Sequence, residues 1–303
     1  MAYRILTRDE HFQNRGPKRI LALDGGGLRG ILTLGFLRRI ETVLRMRHAK
    51  DPGFRLCHYF DLIAGTSTGA IIAAALALGM TVAEVIGHYQ KLGREVFLKG
   101  WFREGIVRAR YDENKLTAHL KRVFGKDRTL GDESLVTGLL VMTKRPDTGS
   151  PWPLGNNPRG RYFKAEQRDT WISNGDFPLW KVVRASTAAP SYFDPEPITI
   201  ASEKGKKAVI GTFVDGGVSP FKQPVLSGIL VRDAFRLPRP VGDGSGTATA
   251  RVGRNWRLRS RPDAREHSRR GSRQGVAQPH GRLCCPGRDP DAVDVGEFDR
   301  SGD

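Results

Sequence analysis

Three short stretches of this 303-residue chain set glycine beside residues able to carry out acyl transfer. Asp24-Gly25-Gly26-Gly27-Leu28-Arg29-Gly30 can turn several backbone N–H groups towards one point, as stabilisation of an oxyanion requires. Gly65-Thr66-Ser67-Thr68-Gly69 puts a hydroxyl inside a run of small residues, which permits the sharp turn that exposes a nucleophile. Asp215-Gly216-Gly217 offers a carboxylate that could take the serine proton. Each stretch alone is common. Donors, nucleophile and base together, in this chain order, form a specific set.

The residues between them read as the elements that must position them. Arg19–Asp24 is a short apolar run ending at the glycine cluster, which predicts a buried parallel strand. From Gly30 to Arg47, Ile31, Leu34, Leu37, Ile40 and Leu44 recur at helical spacing. Phe60–Ala64 predicts a second strand, and Ala70–Leu78 is so uniformly apolar that it predicts a helix buried on most sides. Strand, turn, helix, repeated, implies an α/β fold with a mostly parallel central sheet sandwiched by helices. Thr81–Gly93, Glu113–Phe124 and Trp180–Ser186 read as further helices, and Leu135–Thr143 and Ala208–Val214 as further strands. Asp215 then falls at the C-terminal end of a strand, where ligand sites of parallel sheets lie. Ser150–Arg159, rich in Pro, Gly and Asn, reads as a surface loop.

Two other chemistries compete for these residues. Gly25–Gly30 fits the dinucleotide fingerprint G-x-G-x-x-G literally, but that fingerprint also wants an acid about 20 residues on, ending a second strand. Here that stretch is a basic helix end. The alternative is an anion hole built from the N–H groups of Gly26, Gly27 and Leu28, and Ser67 favours it. Arg29 would hold this loop or meet a phosphate. A Ser-His-Asp triad would follow the order Ser67, Asp215, then His267 or His280, but both histidines lie in a segment read as unfolded. His11, His48, His58, His88 and His119 read as surface or helix-face residues.

At the three glycine-flanked stretches the chain resembles the patatin-like phospholipases, a resemblance running from about Arg19 to about Pro224. It implies a lipid acyl hydrolase of lipid degradation in which Asp215 acts directly as general base towards Ser67, with no histidine. Gly25, Gly26, Gly27 and Leu28 would form the oxyanion hole, and Arg29, Gly30, Gly65, Gly69, Gly216 and Gly217 would support the motifs. No metal or organic cofactor is implied; the partner would be a phospholipid or other acyl lipid. An inactive lipid-surface or scaffold protein is the alternative.

Composition narrows the setting. The formal charge is +18, with 35 Lys and Arg against 22 Asp and Glu through Lys222. These charges are dispersed and carry no nucleic-acid-binding signature; simple solubility or attraction to anionic phospholipid surfaces accounts for them, and no nucleic acid is expected. Phe97, Trp101 and Phe102 among Arg94, Lys99 and Arg103 mix aromatic and basic residues as lipid interfaces do, although core packing explains the aromatics better. Three cysteines are too few for a disulfide framework, and Cys57 reads as a small buried hydrophobe. Residues 1–18 read as a polar extension without a secretory signal, and the longest apolar run is too short to span a membrane. A cytoplasmic protein, peripheral at the membrane, is the expectation.

Residues 19–226 form the expected domain, incomplete at its C-terminal end. Residues 231–303 hold 15 Arg and no Lys, crowded with Gly and Pro and without a period of 2 or 3.6. We read 227–303 as a disordered, out-of-frame tail. Shifting permitted codons for Gly244–Arg257 by one base can yield a Leu/Val strand ending in a glycine turn.

Overall fold

The computed structural model describes residues 4–14, 17–48, 51–97, 112–160, 162–164, 170–202 and 207–219, with Pro224, 251–252 and 256–257. All lie in the first of two units, Met1–Arg259 and Ser260–Asp303. The tail reading, His267 and His280, Trp101 and Phe102, and the side chain of Phe97 fall outside the described residues.

Strands β1 (Ile20–Leu23), β2 (Leu62–Thr66) and β3 (Gly138–Lys144) pair in parallel, Ala22 opposite Ala64 and Ala64 opposite Leu140. β4 (Pro151–Gly155) runs antiparallel to β3. β5 (Glu196–Ala201) and β6 (Val209–Asp215) pair antiparallel to each other, and the end of β6 meets the end of β3. β1, β2, β3 and β5 therefore share one direction, and β4 and β6 oppose them. The residues Arg251–Val252 and Trp256–Arg257 form a separate antiparallel pair.

The loop expected over Ser150–Arg159 contains β4, which is a correction. Pro151 and Pro153 alternate along it, opposite Lys144 and Met142. An outer strand tolerates proline where the missing N–H faces away from its partner. β5 and the helix α1 (Arg8–Gln13) also lack a sequence period that announces them; Thr7 and Glu10 close a capping box at the start of α1.

The remaining helices follow their apolar spacing. α2 (Gly30–Arg47) buries Leu34, Leu37 and Leu44. α3 (Thr68–Ala77) is buried at every residue, being enclosed by β2, β3, α4 (Val82–Leu92), α5 (Glu113–Phe124) and α6 (Leu179–Ser186). The threonine–glutamate box Thr81/Glu84 starts α4, and the Asp112 side chain caps α5. α2 to α6 share one core with Leu23, Ile63, Leu139 and Val141 from one face of the sheet. The alternate residues Leu62, Ala64, Leu140 and Met142 meet Phe12 of α1 on the other. The period of two along β2 and β3 thus divides the core between the layers. Cys57 is fully buried, and burial pushes its thiol pKa up to about 12. No described helix is long and apolar enough to cross a membrane.

Candidate active site

The ends of β1, β2 and β6 lead into the candidate residues. β2 turns at Ser67 into α3, and Ser67 takes φ 56° and ψ −129°. A non-glycine residue in that region is strained by about 1–3 kcal/mol and persists only where its surroundings hold it. They do. The Ser67 N–H donates to Ser186 Oγ at 2.9 Å, and that hydroxyl donates to the Met142 carbonyl at 2.7 Å. The small residues of the turn are needed for space. A β-carbon on Gly69 would lie 2.7 Å from the Asp24 carbonyl oxygen, and one on Gly65 would lie 2.7 Å from Ala70 Cα.

The glycine loop after β1 lies against this elbow. A β-carbon on Gly25 would stand 2.6 Å from Ser67 Cβ, and the Gly26 N–H donates to Thr68 Oγ1 at 3.3 Å. Gly27 has φ +55°, favourable only for glycine, and opens a 3-10 turn, Gly27–Arg29, that runs into α2. Its carbonyl accepts from the buried Tyr89 hydroxyl of α4. Burial pushes the Tyr89 pKa up, against a hydrogen bond with Thr68. A side chain at Gly30 would collide with the Tyr89 phenol. Gly26 has thus committed its N–H to Thr68, whereas the N–H groups of Gly27 and Leu28 have no partner among the described residues. Asp24, Gly25, Gly26, Arg29, Gly30 and Thr33 line a cleft of about 290 Å³ beside the loop. A larger polar depression of about 590 Å³ is lined by Thr129, Asp132, Phe163 and Asp176 and includes none of the candidate residues.

Asp215 reaches the same end of the sheet by a route the sequence does not show. β2 pairs with Gly138–Met142 of β3, while β4 pairs with Leu140–Lys144. The two must therefore lie on opposite flanks of β3. β6 pairs only with Thr143 and Lys144, which β4 also contacts, so β6 shares the flank of β2. It meets β2 head-on: Thr66 is opposite Met142 and Asp215 opposite Thr143. The expected position at a strand's C-terminal end holds, but the strand runs antiparallel. Asp215 is 4% exposed, its Oδ1 accepts from the Gly217 N–H at 2.7 Å, and its own N–H donates to the Ala188 carbonyl at 3.0 Å. A β-carbon on Gly216 would lie 2.6 Å from the Met142 carbonyl oxygen.

The described histidines are engaged elsewhere. Two of the histidines expected on surfaces or helix faces lie on buried helix faces: His11 of α1 faces Asp61 at 2.9 Å, and His119 of α5 sits 3.8 Å from Glu95. His48 stacks on Phe54, His58 accepts from the Arg55 N–H, and His88 lies edge-on to His119. Sequence reasoning missed Tyr89, Thr68 as an acceptor and Ser186. The capping pattern of α4 marks its helix but not which face meets the glycine loop. Nothing near Ser186 signals its bond to Ser67, 119 residues away in sequence.

Residues 21–225 match the family model described as patatin-like phospholipase. The chain is similar to the cGAMP-activated phospholipase of Vibrio cholerae, at 32% identity over 61% of this chain and 51% of the relative. It is 34% identical to the cUMP-AMP-activated phospholipase of Escherichia coli, over 66% of this chain and 54% of that one. A probable inactive patatin-like protein 9 of Arabidopsis thaliana is 28% identical over 69% of this chain and 53% of its own length. The chain spans about half the length of these relatives.

Proposed function

The chain belongs to the patatin-like phospholipase family, and from that premise we propose that it is a lipid acyl hydrolase working through Ser67 and Asp215. Ser67 Oγ attacks the ester carbonyl carbon while Asp215 takes its proton. The carbonyl oxygen becomes an oxyanion, held by the glycine loop, with the N–H groups of Gly27 and Leu28, which have no partner among the described residues, as donors. Collapse breaks the ester bond, and the leaving alcohol takes the proton from Asp215. Water then attacks the acyl-serine, gives its proton to Asp215 and releases the fatty acid, and the proton returns to Ser67.

The observation that carries this reading is the strained elbow at Ser67, with Gly25 packed against it and Asp215 one β3 register position beyond Thr66. The commitments of the five described histidines support a base other than histidine. An acyl lipid substrate is supported by family membership. It is also supported by the outward face of α2, where Leu32 is 65% and Phe36 73% exposed beside Arg38 and Arg39, starting at the glycine loop.

The test is hydrolysis of a short-chain p-nitrophenyl ester and of phospholipid vesicles by wild type, Ser67→Ala and Asp215→Asn. Because two relatives are named for activation by cGAMP or cUMP-AMP, both nucleotides belong in the assay. Hydrolysis lost in both variants, with folding intact, is expected. Folded wild-type protein with no hydrolysis under any condition would favour an inactive lipid-surface protein.

A further inference from the structure

The end of α6 touches both candidate residues. Ser186 is fully buried, and its hydroxyl accepts from the Ser67 N–H at 2.9 Å while donating to the Met142 carbonyl at 2.7 Å. Two residues later, the Ala188 carbonyl accepts from the Asp215 N–H at 3.0 Å. One short stretch of chain thus grips the Ser67 peptide through a side chain and the Asp215 peptide through a carbonyl.

These bonds fall where local geometry does least to hold the residues. Among described non-glycine residues only Ser67 and Ser191 have positive φ. The Ser67 N–H lies beyond β2, whose last pair is Thr66 with Met142. β6 is fixed to β3 by the pairs at Thr143 and Lys144 alone. Met142 O, bonded to Ser186, is also the atom against which Gly216 packs. A buried donor left without an acceptor is unfavourable, so a hydroxyl at 186 favours the one elbow conformation that satisfies both Ser67 N and Met142 O.

We propose that Ser186 is a positioning residue: its hydroxyl locks the Ser67 elbow to β3 and, with the Ala188 carbonyl, sets the placement of Ser67 relative to Asp215. The role rests on the assignment of Ser67 and Asp215 as nucleophile and base. Without the hydroxyl the elbow relaxes, and Ser67 Oγ moves out of line with the carboxylate while the lipid-facing surface is unchanged. Misplacement by about 1 Å can cost about 10²-fold in rate.

Ser186→Ala is compared with Thr187→Val in the full chain. Thr187 is the neighbouring buried residue, and its hydroxyl donates only within α6, to the Arg184 carbonyl at 3.0 Å. Both variants lose one buried hydroxyl, so a merely structural role predicts equal losses. Our expectation is different: Ser186→Ala lowers kcat by about 10²-fold with KM within about twofold, and slows labelling of Ser67 by a fluorophosphonate in proportion. Thr187→Val keeps wild-type kcat and labelling despite a lowered unfolding midpoint. Should Ser186→Ala fail to fold, Ser186→Cys retains the volume with a weaker hydrogen bond and is expected to fall between the two. Wild-type labelling rates in the folded Ser186 variant, or equal kcat losses in both variants, would overturn the role while leaving the assignment of Ser67 intact. Wild-type protein whose Ser67 takes no label would sink the assignment and this role with it.

Discussion

Thr66 and Asp215 face successive residues of β3, Met142 and Thr143, from the same flank. Two strands running in opposite directions therefore end against each other, one delivering Ser67 and the other the carboxylate. β3 acts as the ruler for a pair to which it contributes no side chain. Lengthening the carboxylate by one methylene should break that spacing: Asp215→Glu should lose about 10²-fold in kcat, although it remains an acid. Steady-state kinetics on a soluble ester checks this, and near-normal kcat would show that the spacing is not what matters.

The contact between Gly25 and Ser67 predicts a sharp size limit. Gly25→Ala would put a methyl 2.6 Å from Ser67 Cβ, so either the loop or the elbow must move. Overpacking of this kind costs about 1–3 kcal/mol and should lower the unfolding midpoint as well as esterase activity. Gly87→Ala, in the interior of α4, is the control, since a β-carbon there meets nothing within 4 Å; it should leave activity unchanged and hold or raise the unfolding midpoint.

At the glycine loop, Gly27→Val combines a bulky β-branched side chain with φ +55°. Loss of one oxyanion donor typically lowers kcat by about 10²–10³-fold, and this variant should fall in that range. Tyr89→Phe removes the hydroxyl bonded to the Gly27 carbonyl and should lower kcat less, by about 10-fold, as a neutral hydrogen bond of about 1–1.5 kcal/mol would. Kinetics on both variants, with circular dichroism to verify folding, distinguishes the donor from its support.

Cys57 gives a pH signature. Its thiol pKa is pushed up to about 12 by burial, above the ordinary thiol value of 9.0. Between about 9 and 12 the unfolded chain releases this proton while the folded chain keeps it. The unfolded state then binds fewer protons, so this group's contribution to stability falls as pH rises through that window. Cys57→Ala should flatten the decline in denaturant midpoint between pH 8.5 and about 10.5. Peptide mapping after iodoacetamide at pH 8 should find Cys57 unmodified in the folded protein and alkylated in denaturant.

Local geometry was legible in the sequence because it is local. Gly25 and Gly69 stand where a β-carbon would strike neighbouring atoms, and the small residues around Ser67 announced the elbow. The helical spacing of Leu34, Leu37 and Leu44 and the uniform apolarity of Ala70–Leu78 matched α2 and α3, since one amphipathic and one enclosed helix need those patterns. The direction of β6, the proline-bearing β4, the burial of His11 against Asp61, and the commitment of the Gly26 N–H to Thr68 were settled only in the tertiary structure. So was the link from Ser67 through Ser186 to Met142. Backbone N–H and carbonyl groups are common to nearly every residue type, so the sequence does not say which of them will meet across the fold. The sequence by itself named the candidate residues of the proposed chemistry; packing of α6 and β6 onto the end of β3 decided where they stand.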